Sequence, residues 1–370
     1  MKIIILKSNL TDVLGIIERG ISENSNLPIL KNFLIKAFDG DIQLISTNLE
    51  IAILGKLSGK IIEEGELVIP FNIFNSIIRN LNSEKITLES GKNKKIIIKT
   101  DSYEGIINDQ DPAEFPLIPK IENKNRFIKI KTEIFKNIFR NIIPSVQYST
   151  IRPEISGIYI CQKDEILHFV GTDSFRLVEI KLTKNNFLST LNDFSVIVPI
   201  KTCQELIKMF NNSDEINIFL DETQILFQSE KEELISRLID GVYPDYEVVI
   251  PKTFISKFTV NKEEFINAIK LVGAFSGKTN DIILKIKSPT EKVLEIYSSD
   301  IQIGEGSYKI PIKLKGEAFS IIFNWRYLLD GVRIYDSEEI EFSLNTSDKP
   351  AKISDNKNSN ITYIVSPIRG

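Results

Sequence analysis

Four places in this 370-residue sequence carry side chains that could do chemistry. Asp109, Asp111 and Glu114 bring three carboxylates close together, the ligand type a hard divalent cation takes. The fixed spacing of a calcium loop is absent and Pro112 interrupts the run, so a solvated acidic loop is expected. Thr172-Asp173 could offer a carboxylate beside a hydroxyl. Cys203 would need a helix N-terminus to become a nucleophile. It falls inside a predicted helix, and a buried thiol is expected. His168, the single histidine, precedes Phe169-Val170 and reads as a structural imidazole. With Cys161 and Cys203 as the two cysteines, a disulfide framework, a four-ligand zinc site and multi-histidine metal chemistry are excluded. Neither a Gly-x-Gly-x-x-Gly nor a phosphate-cradling P-loop is present. No catalytic residue, metal or cofactor is expected.

The elements that must position these residues repeat. Asn48, Asp173 and Asp300 each follow an apolar strand, in Ser46–Ile53, Gly171–Leu177 and Ser298–Ile303. Thr47 and Thr172 are 125 positions apart, and Thr172 and Ser299 are 127 apart. This recurrence favours a turn role for the three polar residues, whose side chains can bond their own backbone. Strand-then-helix segments recur at Val68–Leu81, Val196–Phe210 and Ser320–Val332, with Pro70, Pro199 and Phe323 expected where each helix starts. Amphipathic helices are expected at Ser8–Ile21, Thr132–Ile143 and Lys262–Val272, and Thr132 is a candidate N-cap. Leu10, Val13, Leu14 and Ile17 form the apolar face of the first, and Phe265, Ile266, Ile269 and Val272 that of the third. Proline-rich ends at Glu114–Pro119 and Val242–Pro251 divide the chain into 1–125, 126–253 and 254–370. The expected fold class is α+β: three tandem copies of one domain, each with two helices on antiparallel sheets.

Composition sets the class. Hydrophobic residues make up 42% and charged residues 26%, an ordinary globular mix. No apolar run approaches the ~20 residues of a membrane helix, and the opening residues do not read as a signal peptide, so no membrane partner and a cytoplasmic location are expected. The six predicted helical segments carry a net charge of +4, so the rest carries −8 to reach the total of −4. Basic helices in an acidic protein suit loose phosphate contacts that need no base readout. Arg79, Lys136, Arg140, Lys201, Lys208, Lys270, Arg326 and Arg333, each on a predicted helix beside its apolar face, are the candidate cations for contact with a polyanion. From the residues alone a three-domain α+β binding protein is supported. A nucleic-acid-processing enzyme would need a carboxylate cluster, and a protein-only scaffold would leave the basic helices without a purpose.

Several longer motifs go further. Leu27-Pro-Ile-Leu30, Thr47-Asn-Leu-Glu50, Arg152–Gly157, Thr172–Leu177, Val196–Pro199, Asp240–Tyr246 and Tyr363–Arg369 occur in an order and spacing that resembles the bacterial beta sliding clamp family, the beta subunit of DNA polymerase III, over essentially the whole chain. The resemblance implies a head-to-tail homodimer closed into a ring around duplex DNA, without sequence preference. It also implies tethering of the replicative DNA polymerase, loading by a clamp loader and no catalysis. An edge near Tyr103–Asn108 is expected to pair with one near Val293–Tyr297 of a second copy. The family's partner-peptide pocket, carried over, comprises Arg152, Ile155, Thr172, Ser174, Phe175, Arg176, Leu177, Pro244, Val248, Val249, Asn324, Tyr327, Ile364, Val365, Ser366, Pro367, Ile368 and Arg369. Departures from the family pattern are Phe175 where histidine is common, Glu247 where a base is common, a terminal Gly370, and Asn24 in place of a basic residue in a pore-facing loop.

Overall fold

The computed structural model describes residues 1–22, 26–91, 94–355 and 357–369. Asn24 and Gly370 lie outside them. Each of the six α-helices in the described residues follows a strand without a break: α1 Lys7–Ile17, α2 Phe71–Asn80, α3 Thr132–Ile142, α4 Ile200–Leu206, α5 Lys262–Gly273 and α6 Trp325–Arg333. The apolar faces predicted for α1 and α5 are the buried ones. A strand's period of two gives way to the helix's 3.6 at these junctions, which turns a half-buried strand into a one-sided helix.

Several junctions differ in detail from expectation. Thr132 is the first helical residue of α3 rather than its cap, and its hydroxyl is buried with no hydrogen-bond partner. The counterpart of Pro70 and Pro199 in the third copy is Asn324, not Phe323. It immediately precedes α6, and its side-chain oxygen accepts the Arg326 N–H at 3.0 Å. The helix α4 ends at Leu206, well short of Phe210, which takes a left-handed φ of 58°.

Two compact units divide the chain: 1–136 with 186–191 and 201–238, and 137–185 with 192–200 and 239–370. Each holds a nine-stranded antiparallel sheet built in the same order. In the first, Gly65–Pro70, Asn32–Phe38, Asp41–Thr47 and Ile51–Leu57 meet Glu232–Arg237, Gln224–Gln228, Glu215–Leu220, Phe127–Lys131 and Phe187–Ser189. In the second, Phe194–Pro199, Gly157–Lys163, Ile166–Thr172 and Arg176–Thr183 meet Ile361–Val365, Ala351–Ser354, Glu339–Leu344, Ser256–Asn261 and Lys313–Lys315. Four strands of one sequence repeat thus join five of the next. The joining ladders pair Ala52 with Ile235 and Leu177 with Ile364.

Each unit also has a smaller sheet. In the first unit Glu104–Asn108 is an outer strand of five. In the second, Val293–Asp300 is flanked on both sides, by Asp281–Ile286 and by Gly304–Pro311. The expected edge near Val293–Tyr297 is therefore corrected: Gly304–Pro311 is the outer strand there. Alternation alone cannot tell an inner antiparallel strand from an outer one.

Candidate functional site

The repeated polar residue is a turn former in all three places. Asn48 Oδ1 accepts the amides of Glu50 and Ile51, Asp173 Oδ1 those of Phe175 and Arg176, and Asp300 Oδ1 those of Gln302 and Ile303, at 2.8–3.2 Å. In the first two copies a threonine completes the turn. Thr47 and Thr172 each donate a hydroxyl four residues on, to Ile51 and Arg176, and each accepts an amide two residues on. The accepting loops put Leu49 and Ser174 at φ near 75°, the left-handed region. The acidic loop is structural as well: Asp109 accepts the Val68 amide, while Asp111 caps Ala113 and pairs with Lys94 at 3.1 Å. Cys161 and Cys203 are buried, and His168 is buried beside Glu179.

In the second unit the Thr172–Leu177 turn forms one side of a cavity of about 260 Å³. Leu177, Ile155, Tyr246 and Ile364 are its buried apolar residues, and Phe175 and Val249 its exposed rim. Arg152, Thr172, Ser174, Arg176, Pro244 and Ser366 also line it. Ladder pairing explains why residues so distant in sequence meet, since Arg176 and Leu177 lie opposite Val365 and Ile364. Beyond that strand the tail is held by two backbone bonds, Ser366 N–H to Phe175 and Ile368 N–H to Ile322, each 2.8 Å.

The two arginines differ. Arg176 bonds Asp173 at 3.0 Å, Asp330 and the Pro144 carbonyl, and its guanidinium lies 4.3 Å from the Tyr327 ring centroid. Each of its three guanidinium nitrogens donates within the protein, so Arg176 lines the cavity as a braced wall residue. Arg152 donates to Ser174 at 3.2 Å and Glu154 at 3.1 Å and remains about half exposed, the available cation of the rim.

Other expected pocket residues fall elsewhere. Val365 is fully buried in the core, Asn324 caps α6, and Tyr327 packs on Arg176. Val248, Pro367, Ile368 and Arg369 do not line the cavity. Asp245, Tyr246 and Pro350 do, although sequence reasoning did not assign them. Asp245-Tyr246 sat within the Asp240–Tyr246 motif, while Pro350 carried no local signal. The equivalent turn in the first unit borders only a cavity of about 70 Å³, beside Leu49, Ile51 and Ile235.

Of the candidate cations, Arg79, Arg140, Lys201, Lys208, Lys270, Arg326 and Arg333 are exposed. Arg79 lies 3.7 Å from Glu18, Lys201 3.9 Å from Glu50, and Lys208 2.8 Å from Glu205. Arg326 donates to Asn280 at 2.9 Å. Lys136 departs from expectation: it is buried, with its ammonium donating to Asn211 at 2.6 Å. On a helix face a one-position error in the apolar arc is enough to turn an exposed cation inward. Among the described residues no helix is long and apolar enough to cross a membrane.

Comparison with known proteins places these features. Residues 1–119 match the profile of the DNA polymerase III beta subunit N-terminal domain, 129–245 the central domain and 247–369 the C-terminal domain. The chain is 27% identical to the beta sliding clamp of Bacillus subtilis over 379 residues, covering all of both chains. It is 28% identical to that of Staphylococcus epidermidis, covering 95% of this chain and 94% of the relative. The crystal structure of the Bacillus subtilis DNA polymerase sliding clamp superposes with a TM-score of 0.94 over 100% of this chain and 99% of that one, at 27% identity. A sliding clamp from Bartonella birtlesii bound to griselimycin gives 0.91 at 26% identity, with full coverage of both chains. The three-domain α+β architecture and the absence of a catalytic role follow from this kinship, and the chain belongs to the DNA polymerase III beta subunit family, the beta sliding clamps that act as processivity factors.

Proposed function

We propose that the chain forms a ring-shaped homodimer that encircles duplex DNA without sequence preference and tethers the replicative polymerase through the cavity beside Leu177. Domains are assigned as 1–125, 126–253 and 254–370. Closure uses the outer strands Glu104–Asn108 and Gly304–Pro311, one from each copy, since an unpaired edge invites a strand. The exposed helical cations face the DNA phosphates. Work takes place in the cytoplasm, with no cofactor.

The observation that carries the pocket assignment is its chemistry: a concave apolar wall with few polar anchors, open along a strand end. Such a site suits an extended peptide with apolar anchors. Polymerase, clamp loader and other proteins bearing one short linear motif would compete for it. The test of the ring is retention on closed-circular DNA. The loaded protein stays on the circle and is released on linearisation; equal release from both forms excludes encirclement.

A further inference from the structure

Behind the pocket wall lies a polar cluster that peptide contact does not use. His168 stands on strand Ile166–Thr172 and Glu179 on strand Arg176–Thr183, and both are buried. The His168 Nδ1 atom lies 3.0 Å from Glu179 Oε1, and the same oxygen accepts the Tyr246 hydroxyl at 2.8 Å. Lys181 Nζ is 3.4 Å from the other carboxylate oxygen. Tyr246 is itself buried and lines the cavity. Its ring meets Tyr159 and Tyr243 edge-on, while those two stack at 4.6 Å.

A buried carboxylate is costly unless its lone pairs are filled. Burial alone would push the Glu179 acid up. The donors His168 and Tyr246, with Lys181, outweigh that and hold it below the ordinary carboxylate value. Burial and the facing carboxylate push the Tyr246 phenol well above its ordinary value. The carboxylate is thus a standing acceptor and the phenol a standing donor, and the bond fixes the ring from behind.

We propose that His168 and Glu179 are positioning residues for the peptide pocket, holding the Tyr246 ring in the wall before a peptide arrives. The inference rests on the reading of the cavity as a peptide site. A wall already in place spares the peptide the cost of ordering it. Once the tether is cut, only a fraction of molecules present the competent wall, and apparent affinity falls by that fraction.

The experiment is a titration of the full-length chain with a fluorescent peptide copied from the clamp-binding segment of its cognate polymerase, with thermal midpoints recorded in parallel. Tyr246→Phe removes one oxygen and keeps the ring; His168→Leu removes the donor; His168→Asn returns an N–H near the Nδ1 position. Expected is a loss of about three- to tenfold in Tyr246→Phe and His168→Leu, with His168→Asn within about twofold of the unsubstituted chain. Unchanged affinity in Tyr246→Phe and His168→Leu, whatever their midpoints, overturns the positioning role and leaves the pocket standing. A loss in His168→Leu that asparagine does not recover also overturns it. No binding by the unsubstituted chain overturns the pocket reading, and this inference with it.

Discussion

Two buried glutamates show opposite signs at the scale of single residues. Glu232 accepts the Phe210 amide at 2.6 Å, but burial outweighs that bond and the nearby charges of Lys136 and Arg19, and its acid is pushed up. The folded state therefore holds its proton more tightly than the unfolded chain, and stability falls as pH rises through the window above 4.5. Glu179 is the reverse: its folded value is depressed, so its contribution is present at neutral pH and is lost as pH falls through that value. Glu232→Gln is expected to gain on the order of 1 kcal/mol at neutral pH. Glu179→Gln is expected to lose roughly 1.5–3 kcal/mol there, a deficit that shrinks on acidification. Urea unfolding of both variants at neutral pH and at about pH 4 reads both signs. Neither assignment was visible in the sequence, because the cost of a carboxylate depends on which distant strands enclose it. The turn role of Asn48, Asp173 and Asp300 was visible, because an Asx turn is closed by its own neighbours.

Helices and their apolar faces were predictable at the scale of elements, since their period is local and the strand–helix junctions are abrupt. Strand neighbours were not. Val293–Asp300 alternates like an edge yet lies inside its sheet, and Pro350 reaches the pocket only because it precedes Ala351–Ser354, a strand that pairs with Ile361–Val365. The strand Ile361–Val365 ends before the tail, whose amides at Ser366 and Ile368 bond Phe175 and Ile322. Truncation from Ser366 is therefore expected to spare the ladder with Arg176–Thr183 while removing one lining residue, Ser366, and the backbone bond that fixes Phe175 at the rim. Losing that polar anchor and the bond behind Phe175, each worth roughly 0.5–1.5 kcal/mol, is expected to weaken a peptide by about two- to tenfold. Leu177→Ala removes a buried apolar wall residue worth roughly 1.5–3 kcal/mol and is expected to weaken it at least ~10-fold. Calorimetric titration of both variants, with melting curves, separates a weakened pocket from an unfolded chain; equal affinity in the truncated chain would place the peptide elsewhere.

The outer strands matter most at the scale of the whole molecule. Ile106 on Glu104–Asn108 is exposed. Ile106→Lys is expected to leave the monomer folded and abolish the dimer, read by light scattering at micromolar concentration; a persisting dimer would assign closure to other strands. Replacing Arg79, Arg140, Lys201, Lys208, Lys270, Arg326 and Arg333 together should weaken DNA association and make its salt dependence shallower, since a phosphate that no cation neutralises keeps its counterion. An unchanged slope would put the DNA on another face. The ladders that join one repeat to the next carry a different implication, one of covalent redundancy. Residues 51–55 are bound strand to strand to 232–236, while the peptide path between them passes through irregular, exposed chain at Lys120, Lys124 and Arg126. A protease that cuts after Lys124 breaks the polymer but not the sheet. Two fragments should then separate on a denaturing gel and still elute as one particle under native conditions, so the covalent link there is a means of delivering two strands to each other, and the sheet is what keeps them.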